Sequence, residues 1–164
     1  MNWYIISSRK KGEILNMSFT LISVFASAVV GFFLVNSIAW VLSLVVLSLI
    51  LFVSWKRNIS SKLANFVLIV GILFSFFGSI NSFDPSYFYI FINLAALFAT
   101  FYEAFNKKLL IILSWALNAF SLGYIIAALR DINLGIIFGI IIFLIGLRDV
   151  FASKKVLDED KLDN

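Results

Sequence analysis

The stretch ILNMSFTLISVFASAVVGFFLVNSIAWVLSLVVLSLILFVSW, residues 14–55, runs for 42 residues without a charge. As a single helix it would measure about 63 Å at 1.5 Å per residue, twice the roughly 30 Å hydrocarbon core of a bilayer. It must therefore fold back once. The best site is Val35-Asn36-Ser37, because Asn36 and Ser37 are the only adjacent polar pair near its middle and both residue types favour turns and helix caps.

Outward from this hairpin, the other uncharged runs are residues 63–83, 85–102, 109–129 and 132–147, of 21, 18, 21 and 16 residues. A spanning helix needs about 20. The last run reaches that length through Val150 and Phe151 if Arg148 and Asp149 snorkel. The spacing predicts six transmembrane helices, at 14–35, 37–55, 63–81, 86–105, 109–129 and 133–151. The fold class is an all-α integral membrane protein built as three consecutive hairpins, 14–55, 63–105 and 109–151. Residues 1–13 form a basic interfacial segment, 14–151 the membrane domain, and 152–164 a charged tail that reads as solvated and disordered. Composition agrees: 62% of the chain is hydrophobic and 13% charged, whereas soluble domains run near half and a quarter.

The basic residues test the count independently. With six spans and a cytoplasmic N-terminus, twelve of the thirteen lysines and arginines fall on the cytoplasmic side and Arg130 alone lies outside. If residues 14–55 crossed only once, the division would be nine against four. The positive-inside rule selects six spans in a cell (inner or plasma) membrane with both termini cytoplasmic. Trp55 and Tyr102 then lie at inner helix ends and Trp40, Tyr87 and Tyr89 at outer ones, as interfacial aromatics do, while Trp115 and Tyr124 sit deeper. Trp3-Tyr4-Ile5-Ile6 followed by Arg9-Lys10-Lys11 reads as a short anchor on anionic lipid at the cytoplasmic face. A removable signal peptide ending at Ala26-Ser27-Ala28 is the competing reading of the N-terminus, but the apolar run continues through Phe32, Phe33 and Leu34. The glycosylation-like triplets at Asn16 and Asn58 map to or near the cytoplasmic face and read as chance matches.

The chain has no histidine and no cysteine. That removes haem ligation by either residue, the usual zinc sites, a cysteine nucleophile, a histidine-dependent triad and any disulfide. No cofactor is expected. The net charge of +4 does not imply a nucleic-acid partner, because no stretch is long and polar enough to form a soluble basic module. No nucleophile, base and stabilising group recur together, so a non-enzymatic role is expected.

Polar side chains in lipid are costly and should face the bundle interior. On the fourth helix Asn93, Ala96, Thr100 and Glu103 recur at three- and four-residue steps; on the fifth, Ser114, Asn118 and Ser121 do the same. These stripes are candidates for a polar seam, either as interhelical hydrogen bonds or as a path or pocket for a small solute. Glu103 is embedded in its helix about one turn from the inner loop. It is open to snorkelling, to a local pair with Lys107, to an ion pair with Arg148 at the same depth on the sixth helix, or to proton coupling. Gly135-x-x-x-Gly139 and Gly146 give the sixth helix a close-packing face, as do Ser23, Ser27 and Gly31 on the first and Gly71, Ser75 and Ser79 on the third. Such faces serve packing within one chain or a homo-oligomer. Glycines at 31, 78 and 123, one in the first helix of each hairpin, hint at threefold repetition against a background in which glycine is common in membrane helices.

Six short hairpin-linked spans, a cytoplasmic N-terminus and the closing run from Gly135 through Gly139 and Gly146 to Arg148 resemble the HdeD-like acid-resistance membrane proteins. That resemblance implies a stress-linked protein of the bacterial inner membrane. The family tends to place proline near the outer turns, where this chain has only Pro85. The stretch Trp115-Ala116-Leu117-Asn118 is also similar to the C-terminal three-helix unit of PnuC and SWEET-like transporters, over about a third of the chain, and the first half shows no matching unit. Neither resemblance carries functional residues over. The expectation is a structural, accessory or stress-related membrane protein, with a small-solute transporter or channel along the seam as the alternative.

Overall fold

The computed structural model describes residues 3–159, with side-chain surroundings for residues 18–148, 150 and 151. Every element among them is helical: α1 (Trp3–Leu34), α2 (Ser37–Arg57), α3 (Lys62–Ile80), α4 (Ser86–Phe105), α5 (Lys108–Leu129) and α6 (Ile132–Glu159). The helices α2 to α5 are each long and apolar enough to cross a membrane. The apolar parts of α1 and α6, Ser18–Leu34 and Ile132–Arg148, are shorter.

The long uncharged run does break at Asn36. Its extended backbone (φ −66°, ψ 159°) ends one helix, and its side-chain oxygen accepts from Ala39 N at 2.9 Å to cap the next. Ser86 Oγ accepts from Asn36 N at 3.0 Å, tying this turn to the start of α4. Replacing Asn36 with alanine is expected to lower stability by about 1 kcal/mol, the usual worth of such a cap; an unchanged thermal midpoint in detergent would refute that role. At the opposite, basic end, α2 and α4 stop at Asn58 and Asn106, both left-handed (φ 51° and 50°), a conformation asparagine tolerates better than most residues.

Two helix boundaries differ from the sequence reading. The basic N-terminal segment is continuous with α1, so residues 3–13 add helical turns to the first apolar helix without a break. The C-terminal segment is likewise helical to Glu159, an extension of α6 into residues read as disordered. Lysine, leucine and glutamate are good helix formers, and a helix already nucleated propagates through them cheaply. Asp160, Lys161 and the rest of the charged tail lie outside the described residues.

The first four helices form a bundle in which α1 and α4 occupy diagonal corners, each packed on both α2 and α3. The hairpin of α5 and α6 is added to one side, with α5 on α4 and α6 on α5. This makes α4 the axis of the molecule. Phe88, Tyr89, Ile92, Asn93, Ala95, Ala96, Ala99 and Thr100 along it are all fully buried. The three hairpins read from the sequence are therefore present, stacked by α1 on α3 and α2 on α4.

Small residues decide where backbones meet. Gly135 of α6 sits against the main chain of α5: a Cβ there would lie 2.5 Å from Gly123 O, and one on Gly123 would lie 2.8 Å from Gly135 O. Trp115, too deep for an interfacial anchor, lays its indole over Gly146, where a Cβ would meet the ring at 2.2 Å. The recurring glycines 31, 78 and 123 serve three unlike neighbours. Gly31 makes room for Tyr89, Gly78 lies beside Phe83 and Ile125, and Gly123 abuts the α6 backbone. They do not act as equivalent positions of a repeat.

Candidate functional site

The buried polar side chains fall into two layers. At about 1.5 Å per residue from the helix ends remote from the basic loops, Ser27 (α1), Ser43 (α2), Ser75 (α3) and Asn93 (α4) lie roughly 8–11 Å down. Thr20 (α1), Ser54 (α2), Asn65 (α3) and Thr100 (α4) lie roughly 21–26 Å down. Each layer draws one residue from each helix of the bundle, and all eight are buried. Between them, Val24, Leu47, Leu68 and Ala96 form an apolar layer, again one per helix.

The first layer is organised by Tyr89. Its hydroxyl donates to the main-chain carbonyl of Ser27 and lies 2.9 Å from Ser27 Oγ. The Ser27 hydroxyl is also 3.4 Å from Asn93 Oδ1. These bonds join the diagonal helices α1 and α4. Ser43 Oγ, Ser75 Oγ and Asn93 Nδ2 have no hydrogen-bond partner. In the second layer, Asn65 Nδ2 donates to Thr20 Oγ1 at 3.1 Å and to Ser60 Oγ at 3.3 Å, and the two hydroxyls are 2.8 Å apart. This closes the α2–α3 loop onto α1. Here Ser54 Oγ and Asn65 Oδ1 are without partners. All five orphaned polar atoms among the described residues thus belong to the two layers. An orphaned group in so dry an interior is costly, and such groups pair with something small and polar whenever it can reach them.

The seam read from the sequence divides. Ser114, Thr100 and Ser121 are buried and hydrogen-bonded to main-chain carbonyls: Ser114 Oγ crosses to Ala95 O of α4 at 2.8 Å, Thr100 Oγ1 returns to Ala96 O at 3.0 Å and Ser121 Oγ to Leu117 O at 2.6 Å. Asn93 faces α1, as its contact with Ser27 shows. Asn118 lines a cleft of about 190 Å³ between Phe66, Val67 and Val70 of α3 and Ile142 and Ile145 of α6. Asn93 thus turns to α1 and Asn118 to the cleft between α3 and α6, because a stripe on each helix does not fix the rotation of one helix about the other. Glu103 and Arg148 are both exposed, and α4 and α6 share no packed interface because α5 lies between them. The structure does not bring this pair together. Gly135, Gly139 and Gly146 do pack as a face, against α5. No group of three or more metal-ligating side chains occurs among the described residues.

Tyr89, Ser43, Ser54 and Asn65 were missed as interior polar groups. A signal for them exists: Thr20 to Ser27, Ser43 to Ser54, Asn65 to Ser75 and Asn93 to Thr100 are spaced 7, 11, 10 and 7 residues, close to two or three turns of 3.6, so each pair shares a helix face. Comparison of the chain with protein-family models, curated proteins and solved structures gives no match.

Proposed function

We propose that the chain is a non-enzymatic protein of the cell (inner or plasma) membrane that crosses it six times, with both termini and the basic loops in the cytoplasm, and that it serves a structural or accessory role. The resemblance of its architecture to HdeD-like proteins makes a stress-related role the preferred form of this reading, with the basic N-terminus resting on anionic lipid. Support for an accessory role comes from Ser114, whose hydroxyl donates across the α4–α5 contact to Ala95 O, and from Thr100 and Ser121, which donate to carbonyls of their own helices, as packing bonds do. A path would need such groups to face a shared lumen.

A second reading, passage of a small neutral polar solute, is favoured by the two polar layers, whose orphaned hydroxyls and amides lie at separate depths in the α1–α4 bundle. Stopped-flow swelling of proteoliposomes with urea or glycerol separates the two. The accessory role predicts swelling no faster than in protein-free vesicles. The solute reading predicts faster swelling that Asn93→Leu abolishes and Asn118→Leu leaves in place, whereas the seam read from the sequence predicts loss with Asn118→Leu or Glu103→Gln. Reporter fusions at both ends test the topology; termini in opposite compartments would overturn six spans.

A further inference from the structure

The outer surface of the α1–α2 pair carries a groove with an uneven chemical lining. Near the basic end a cleft of about 340 Å³ is lined by Thr20, Leu21, Leu51, Phe52, Ser54 and Trp55. A second cleft of about 440 Å³ shares Leu21 and Leu51 with it and continues along the same two helices to Ala28 and Leu44. From Leu44 to Ser54 the groove extends roughly 15 Å. Along most of that length its walls are hydrocarbon. At the basic end Thr20 and Ser54 are buried hydroxyls, and Ser54 Oγ, on a residue 3% exposed, has no hydrogen-bond partner.

Beyond the hydroxyls come an aromatic rim and a cation. Trp55 is 73% exposed at the lip. Lys56 Nζ stands 5.7 Å from the centre of the Phe52 ring, which forms part of the wall. Arg57 lies over Phe105 of α4, 5.1 Å from its ring centre, so that among the described residues Lys56 is the cation beside this groove. A narrow apolar slot, a hydroxyl at its polar end and an ammonium just outside match one amphiphile in order: a straight chain, an ester and an anionic headgroup.

We propose that the α1–α2 groove binds an anionic phospholipid of the cytoplasmic leaflet. One acyl chain lies between Leu44 and Leu51 of α2 and the facing α1 residues, Ser54 Oγ, closed off within the wall in the free protein, turns outward about its Cα–Cβ bond to donate to an ester carbonyl, and Lys56 sits beside the phosphate. The inference rests on the membrane reading above but not on the choice between accessory and solute roles. It is distinct from the basic N-terminal segment as an anchor, because it requires a built slot and a single bound lipid.

The test uses the full chain purified in detergent and offered equal amounts of phosphatidylglycerol and phosphatidylcholine with identical acyl chains, with retained lipid read by native mass spectrometry. The expected preference for phosphatidylglycerol is roughly fivefold, the effect of one lysine near a phosphate. Lys56→Gln should bring the ratio close to one while lipid is still retained. Ser48→Trp, on the exposed rim of the slot, should remove retention of both lipids. Should that variant fail to fold, Ser54→Ala, which keeps the packing, should weaken both lipids alike. Equal retention of the two lipids by the native chain overturns the proposal, as does a Lys56→Gln variant with undiminished preference. A stable Ser48→Trp variant that retains lipid like the native chain overturns it too. Detergent has no sidedness, so a failed topology test would leave this result standing, and the reverse also holds.

Discussion

Gly135→Leu is expected to detach α6 from α5 and lower the stability of the protein by about 1–3 kcal/mol, toward the upper end of what overpacking costs. At this position the neighbour is backbone: the first added carbon would lie 2.5 Å from the carbonyl oxygen of Gly123 and 2.5 Å from the Ala127 side chain. A side chain in the way can change rotamer, but a helix main chain can only move away as a unit. Within a bilayer, apolar helices gain little by leaving lipid for one another, so their association depends on close van der Waals contact of this kind. Among the described residues the sixth helix has no substantial contact except with α5, and most of its apolar residues are exposed. No other interface would hold it. Fluorescence reports the outcome directly, because the Trp115 indole rests on Gly146 and would lose that cover. Thermal melting in detergent should show the loss of stability, whereas Ile137→Leu on the exposed face should stay within about 0.5 kcal/mol. A Gly135→Leu protein with native melting and native tryptophan emission would show that α6 is held by something other than this contact.

The same physics explains which parts of the fold were legible in sequence. Helix number and ends follow from where charges and turn formers interrupt apolar runs, and these are local properties. Asn36 therefore marked the α1–α2 turn, and the Gly135 and Gly139 spacing marked a close-packing face. Which helix receives that face is a question of tertiary arrangement. Nothing in the periodicity of α4 says that it lies at the centre, touching α2, α3 and α5. Its buried share gives a hint, since its buried positions between Phe88 and Thr100 cover rather more than half of the helix circumference, wider than a single packed face.

The site was legible in kind and misplaced in position. Asn93, Thr100, Ser114, Asn118 and Ser121 are all buried, as polar residues in apolar helices should be. A shared seam required Asn93 and Asn118 to rotate toward each other, and a period of 3.6 within each helix leaves that relative rotation free. Tyr89 was read as an interfacial aromatic because it lies one turn from the start of α4. In the bundle it is fully buried and points across the diagonal, where its hydroxyl meets Ser27. Position along a helix distinguishes the two roles poorly; direction around it decides.

That diagonal contact sets up the second large effect. Gly31→Leu should unseat Tyr89, because its Cβ would lie 2.6 Å from the phenolic oxygen and 2.7 Å from the ring carbon bearing it. The ring is itself fully buried, so it can retreat only by displacing its neighbours. The expected loss is about 1–3 kcal/mol from overpacking, with roughly 0.6 kcal/mol more for each interhelical hydrogen bond given up at Ser27. Tyr89→Ala alone should also destabilise, by leaving a cavity on the diagonal. The two changes are expected to compensate. A leucine at position 31 would enter the volume vacated by the ring, so the double variant should be more stable than the sum of the singles predicts by about 1 kcal/mol or more, within the range seen for residues in contact. Unfolding of the four proteins in mixed micelles under one detergent series gives the cycle. Strict additivity would mean that Gly31 and Tyr89 do not share that space, and the joining of α1 to α4 through the first polar layer would fail with it.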